Sequence, residues 1–97
     1  MTQLTLLTII AADALALPIE REIEQLGAKG FTITSVTGKS LGNTRDNPWE
    51  GENVKIETIV TEEISHKILN HLQEKYFERF AMIAFLHPVQ VVRSHHF

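Results

Sequence analysis

An α+β fold, in the order strand, helix, strand, strand, helix, strand, is predicted by three observations. Four segments of the 97-residue chain are rich in β-branched and other aliphatic residues and read as strands. Two segments between them place apolar residues three and four apart, the spacing of one helical stripe. The second and third strands are separated by a polar stretch, Val36 to Val54, whose three glycines, three asparagines and one proline cannot continue either strand.

The first strand is expected at Leu4 to Ile10. Leu4, Leu6 and Ile10 fall on one face and Leu7 and Ile9 on the other, so it needs cover on both sides. Ala11 to Leu26 changes period. Leu15, Ile19, Ile23 and Leu26 form one helical stripe, with Glu20, Arg21, Glu22 and Glu24 turned to water. Asp13 has the residue type of a cap, but Pro18 would then remove a hydrogen bond past the first turn. That conflict predicts either a later start near Leu17 or a kink at Pro18. Gly27 ends the helix, and Ala28 to Gly30 form the turn. Phe31 to Val36 is the second strand and Asn53 to Val60 the third, where Val54, Ile56 and Val60 oppose Lys55 and Glu57. Thr61 caps the second helix, Glu62 and Glu63 suit its positive end, and Ile64, Ile68, Leu69, Leu72 and Tyr76 form its buried stripe. Phe80 to Leu86 is the last strand, interrupted at Pro88, with Val89 to Val92 continuing it beyond a bulge or bend.

This order is the split βαβ, or ferredoxin-like, arrangement: a four-stranded antiparallel sheet with two helices on one face. Helices cover one face only, yet the first and last strands are apolar on both. Further copies of the same short chain are the expected cover. The length predicts one domain, residues 1–97, with a loop at 38–52 between the second and third strands. So long a connection is uncommon in a compact domain and points to a functional loop.

The net charge of −3, with both signs interspersed, argues against a general nucleic-acid binder. The absence of cysteine removes disulfides, thiolate metal sites and cysteine nucleophiles, and fits a reducing compartment. No apolar run approaches the roughly twenty residues of a membrane span, and the first residues lack the basic start and cleavage site expected of a signal peptide. A cytoplasmic protein without direct membrane insertion is expected.

Thr37-Gly38-Lys39-Ser40 resembles the end of a phosphate-binding Walker A loop, but Ile33 stands where its first glycine belongs, and no helix follows. What remains is a strand end carrying a glycine, with Lys39 and Arg45 placed to neutralise phosphate or carboxylate groups, or else solvated. His66 and His71 are five apart on a helix, too far for an i, i+4 ligand pair, and His95 and His96 read as terminal solvated residues, so no metal is expected. Asp46, Glu50 and Glu52 share one loop, which does not hold paired carboxylates rigidly enough for catalysis. Trp49 at the loop tip reads as an anchor for a partner surface, or as an indole tucked back against the body.

These residues carry a resemblance. The chain is similar to the PII signalling superfamily, the nitrogen regulatory protein P-II-like proteins, and within it to the PII-like branch associated with bicarbonate transport and carboxysomes. The matching features are the G-A-K-G-F-T turn at Gly27 to Thr32 and the G-K-x-x-x-N-x-R pattern of Gly38, Lys39, Asn43 and Arg45. The N-V-K-I-E strand from Asn53 and the Tyr76-Phe77 helix end leading to Ala81 and Ile83 complete it. Met82 stands where related chains carry a glycine lining the nucleotide cleft, and its side chain would crowd a ligand there. The chain also lacks the two-cysteine C-terminal segment of many members, and the W-E-G tip differs from nitrogen-regulating PII loops.

The resemblance implies a homotrimeric, non-enzymatic signalling protein with no tightly bound cofactor. A small anionic effector, an adenine nucleotide, would bind in clefts between subunits, with Gly38, Lys39 and Arg45 meeting its phosphates. Loop 38–52 would be the T-loop, contacting a protein partner such as a membrane transporter or an enzyme through Trp49, Asp46 and Glu50. The divalent-cation-tolerance proteins share the trimeric ferredoxin-like architecture and are the alternative.

Overall fold

The computed structural model describes residues 1–38 and 52–93. Its elements are β1 (Thr2–Ala12), a 3-10 turn (Asp13–Leu15), α1 (Ala16–Gln25), β2 (Thr32–Val36), β3 (Asn53–Val60), α2 (Glu62–Lys75) and β4 (Ile83–Val91). The strands form one antiparallel sheet in the order β2-β3-β1-β4. This is the ferredoxin-like arrangement expected from the sequence.

The register sorts the side chains into two faces. Ile9 lies between Ile56 and Ala84, and Leu7 between Thr58 and Leu86. This face meets the helices: Leu7, Ile9 and Ile56 are fully buried together with Ile19 and Ile23 of α1 and Ile68 and Leu72 of α2. At roughly 25 cal/mol per Å2 of apolar surface removed from water, such residues supply most of the folding drive. The other face carries no helix. Ile10 pairs with Ile83 and Thr8 with Phe85 there, and Ile83 is 42% and Phe85 48% exposed.

The first helix follows the later-start expectation. Because α1 begins at Ala16, Pro18 is its third residue, where a backbone N–H has no intrahelical acceptor in any case. Asp13 does not cap it: Leu15 holds the N-cap position without a side-chain hydrogen bond, and Asp13 opens the preceding 3-10 turn. At the other end, Gly27 adopts φ +124. The N–H of Ala28 reaches Ile23 O at 2.9 Å, and the N–H of Gly27 reaches Glu24 O at 3.1 Å. That bond pair is the Schellman motif, which closes the helix and turns the chain. A Cβ on Gly27 would also lie 2.9 Å from Ile64 Cδ1. Helix α2 is capped as expected, with Thr61 Oγ1 accepting from Ile64 N at 3.2 Å.

The last strand departs most from the sequence reading. Phe80 belongs to the turn after α2, its N–H donating to Tyr76 O at 2.9 Å. Strand β4 then runs unbroken through Pro88, which pairs with Thr5. As an edge strand β4 has one side without a ladder partner, so a residue without N–H is tolerated.

Candidate functional site

Three elements hold the stem of the long loop. Val36 pairs with Asn53, the last rung of β2 and β3, and Asn53 also pairs with Ala12 of β1. The N–H of Asp13 donates to Glu52 O at 3.1 Å, tying the returning chain to the end of β1. A cleft of about 270 Å3 lies here, lined by Asp13, Ser35, Val36, Thr37, Glu52 and Asn53. Gly38 follows β2 beside this stem, with no described heavy atom beyond its chain neighbours within 4 Å of the place its Cβ would occupy. Among the described residues nothing therefore demands glycine here. A ligand or another copy approaching the backbone would give that requirement a cause.

The described wall of this cleft carries two carboxylates, Asp13 and Glu52, and no cation. Phosphate binding would thus depend on basic groups from elsewhere, the role expected of Lys39 and Arg45. Lys39, Arg45, Asp46, Trp49 and Glu50 lie outside the described residues, as do His95 and His96. Met82 is half-buried and packs against the hydrophobic core, so its side chain is at least partly committed to the protein interior.

A second cleft, of about 500 Å3, is lined by Leu6, Gly30, Phe31, Thr32, Glu57, Thr58 and Ile59. Its rim is fixed by Thr58, whose hydroxyl donates to Gly30 O at 2.6 Å. Apolar walls beside the Glu57 carboxylate and the Thr32 hydroxyl suit a flat ring that carries a hydrogen-bond donor. The sequence signals nothing here, because its lining comes from three strands and a turn that only the register brings together.

The sequence reading also turned Glu22 to water, and the structure corrects this. The Glu22 side chain is 16% exposed and reaches across from α1 to α2. His71 Nε2 donates to its Oε1 at 2.7 Å, and Tyr76 Oη lies 2.8 and 3.0 Å from its two carboxylate oxygens. Lys75 Nζ donates to Oε2. Burial alone would raise the Glu22 pKa, but the hydrogen bonds from Lys75, His71 and Tyr76 together hold it below the ordinary value. Tyr76 responds in the opposite sense: burial, then the bond and charge of Glu22, push its phenol up to about 12. This cluster locks the two helices together. Among the described residues no group of three or more His, Asp or Glu that could hold a metal ion comes together. No described helix is long and apolar enough to cross a membrane.

With this geometry in hand, comparison with known proteins places the chain. Residues 4–96 match the family described as nitrogen regulatory protein P-II, and the chain belongs to that family. It is a PII-like regulatory protein. A protein of Thermus thermophilus assigned to PII-like signalling is 44% identical, with a TM-score of 0.85 over 97% of this chain and 94% of that one. CPII of Thiomonas intermedia, a nitrogen regulatory PII-like protein solved with ADP, AMP and bicarbonate, is 27% identical. It superposes with a TM-score of 0.83 over 99% of this chain and 98% of that chain. A further CPII structure, bound to ADP, AMP and acetate, gives a TM-score of 0.84 at 27% identity over 98% and 94% of the two chains.

Proposed function

We propose that this chain forms a non-enzymatic homotrimer that senses an adenine nucleotide in clefts between its subunits and signals through loop 38–52. The observation that carries the reading is the uncovered sheet face. Phe85 and Ile83 stand exposed there on a sheet whose other face packs against the helices. Another copy laid over that face removes apolar surface from water and can complete clefts that are half-open in one chain. The ADP- and AMP-bound CPII relatives support an adenine nucleotide as the effector. The P-II family favours signalling over cation tolerance.

Gly38, Lys39 and Arg45 are the groups assigned to the phosphates. Glycine allows close approach of the backbone, and the two cations offset the Asp13 and Glu52 carboxylates at the stem. A bound nucleotide selects one conformation of the loop, and that conformation fits or misfits a cytoplasmic face of a partner, with a membrane transporter as the leading class. Trp49 supplies the apolar anchor, and Asp46 and Glu50 set orientation and on-rate.

Titration calorimetry with ADP tests the assignment. Lys39→Ala and Arg45→Ala should each weaken binding by roughly 1.5–3 kcal/mol, the scale of a charge-assisted hydrogen bond. Equal affinities in wild type and both variants would show the cations to be bystanders.

A further inference from the structure

His87 is the one titratable residue that the strand pairing places on the open face of β1 and β4. It sits opposite Leu6, with Phe85 before it and Val89 after it on the same face. Among the described residues its imidazole has no hydrogen-bond or ion-pair partner. The charged groups of this face lie elsewhere. Lys55 and Glu57 of β3 stand opposite Ile10 and Thr8, and the Met1 amino group and Arg93 lie beyond the Thr2–Val91 pair. The two helices occupy the other side of the sheet. Among the described residues no carboxylate therefore stands beside His87 to stabilise an imidazolium.

We infer that His87 makes association of this face with further copies of the chain dependent on pH. The inference rests on the reading above that copies of the chain cover the face. A second copy suits it on charge, because on β3 each copy presents a cation, Lys55, next to an anion, Glu57, beside an apolar half. Covering that half removes His87 from water. A neutral imidazole tolerates this, whereas a buried imidazolium without a partner costs far more. Imidazole side chains change charge between about pH 5 and 8. The sign follows directly: the assembled state takes up protons less readily than the separated chains, so assembly is complete at the neutral end and lost as pH falls. Each copy that must stay neutral adds its own loss, so the effect multiplies across the copies of an assembly.

Light scattering across a dilution series at about pH 7.5 and about pH 5.5 tests this, on wild type, His87→Leu and His87→Gln. Circular dichroism at each pH verifies folding. Glutamine keeps a polar side chain that never charges, so it remains informative if leucine perturbs the strand. Wild type should be assembled at the higher pH and dissociate at the lower one, still folded, while at least one folded variant stays assembled at both. Wild type assembled equally at both pH values would overturn the inference and leave the proposed trimer standing. Variants that dissociate in acid as wild type does would also overturn it. A wild-type monomer at the higher pH would overturn the assembly reading itself, and this inference with it.

Discussion

Replacing Glu22 by Ala removes the only carboxylate that bridges α1 to α2 among the described residues, and its cost can be built from the three donors it leaves behind. Tyr76 is 3% exposed, so its hydroxyl loses its acceptor without gaining water, a penalty of about 1–3 kcal/mol. The His71 side chain is 30% exposed and recovers part of its bond from solvent. The Lys75 side chain is 50% exposed and contributes at most about 1 kcal/mol after solvent screening. Removing a desolvated carboxylate offsets some of this loss. The net is about 2–3 kcal/mol, a large share of the roughly 5–15 kcal/mol that holds a domain folded. Urea unfolding at one fixed protein concentration measures it, since the midpoint of an associating protein depends on concentration. Lys75→Ala should cost less than about 1 kcal/mol in the same assay. The pH dependence has a definite sign. The Glu22 pKa is lowered on folding from 4.5, so its contribution is present above that value and lost as pH falls through the folded one. The gap between wild type and Glu22→Ala should therefore close in acid. Tyr76 is the only tyrosine, and its phenolate absorbance should titrate near 12 in wild type and lower in the variant, where burial alone still raises it above 10.0. Its raised value contributes stability below 10.0 that is lost as pH rises through about 12. A Glu22→Ala protein as stable as wild type, with an unmoved tyrosine titration, would refute the reasoning.

Further outcomes follow, the first from the geometry and the others from the proposed role of the loop. Gly27→Ala should lose about 1–3 kcal/mol in urea unfolding, because the residue must hold φ +124 while its new Cβ meets Ile64 Cδ1 at 2.9 Å. Deleting Asn43 to Glu52 with a short glycine-containing bridge should leave the assembly intact and abolish partner capture in pull-downs from membrane and soluble fractions. Trp49→Ala alone should weaken capture by at least about 1 kcal/mol; unchanged partners in both variants would make the loop a spacer.

Elements whose pattern is local were legible in the sequence, and those decided by distant partners were not. Strand β3 falls where its alternation put it, because Val54 and Ile56 have a core to face and Lys55 and Glu57 do not. Helix α2 begins at its Thr61 cap for an equally local reason. Strand β4 was misread because a proline breaks a strand only when its missing N–H is needed, and that depends on which strand forms the sheet edge. Glu22 looked solvated because helical periodicity assigns it a polar face. It says nothing of His71, Lys75 and Tyr76, which lie 49 to 54 residues away in sequence. The clefts were hidden for the same reason: Leu6, Phe31 and Glu57 meet only through strand pairing. The loop residues assigned to phosphate and partner, Lys39, Arg45, Asp46, Trp49 and Glu50, were read from residue type and family resemblance, and lie outside the described residues.

Native mass spectrometry in excess ADP tests the central claim most directly, because assembly and ligand are read in one spectrum. The account predicts three chains carrying up to three nucleotides, with nucleotide absent from any single chain that remains. A monomer, or a trimer that takes up no nucleotide at concentrations well above the micromolar range, would contradict it.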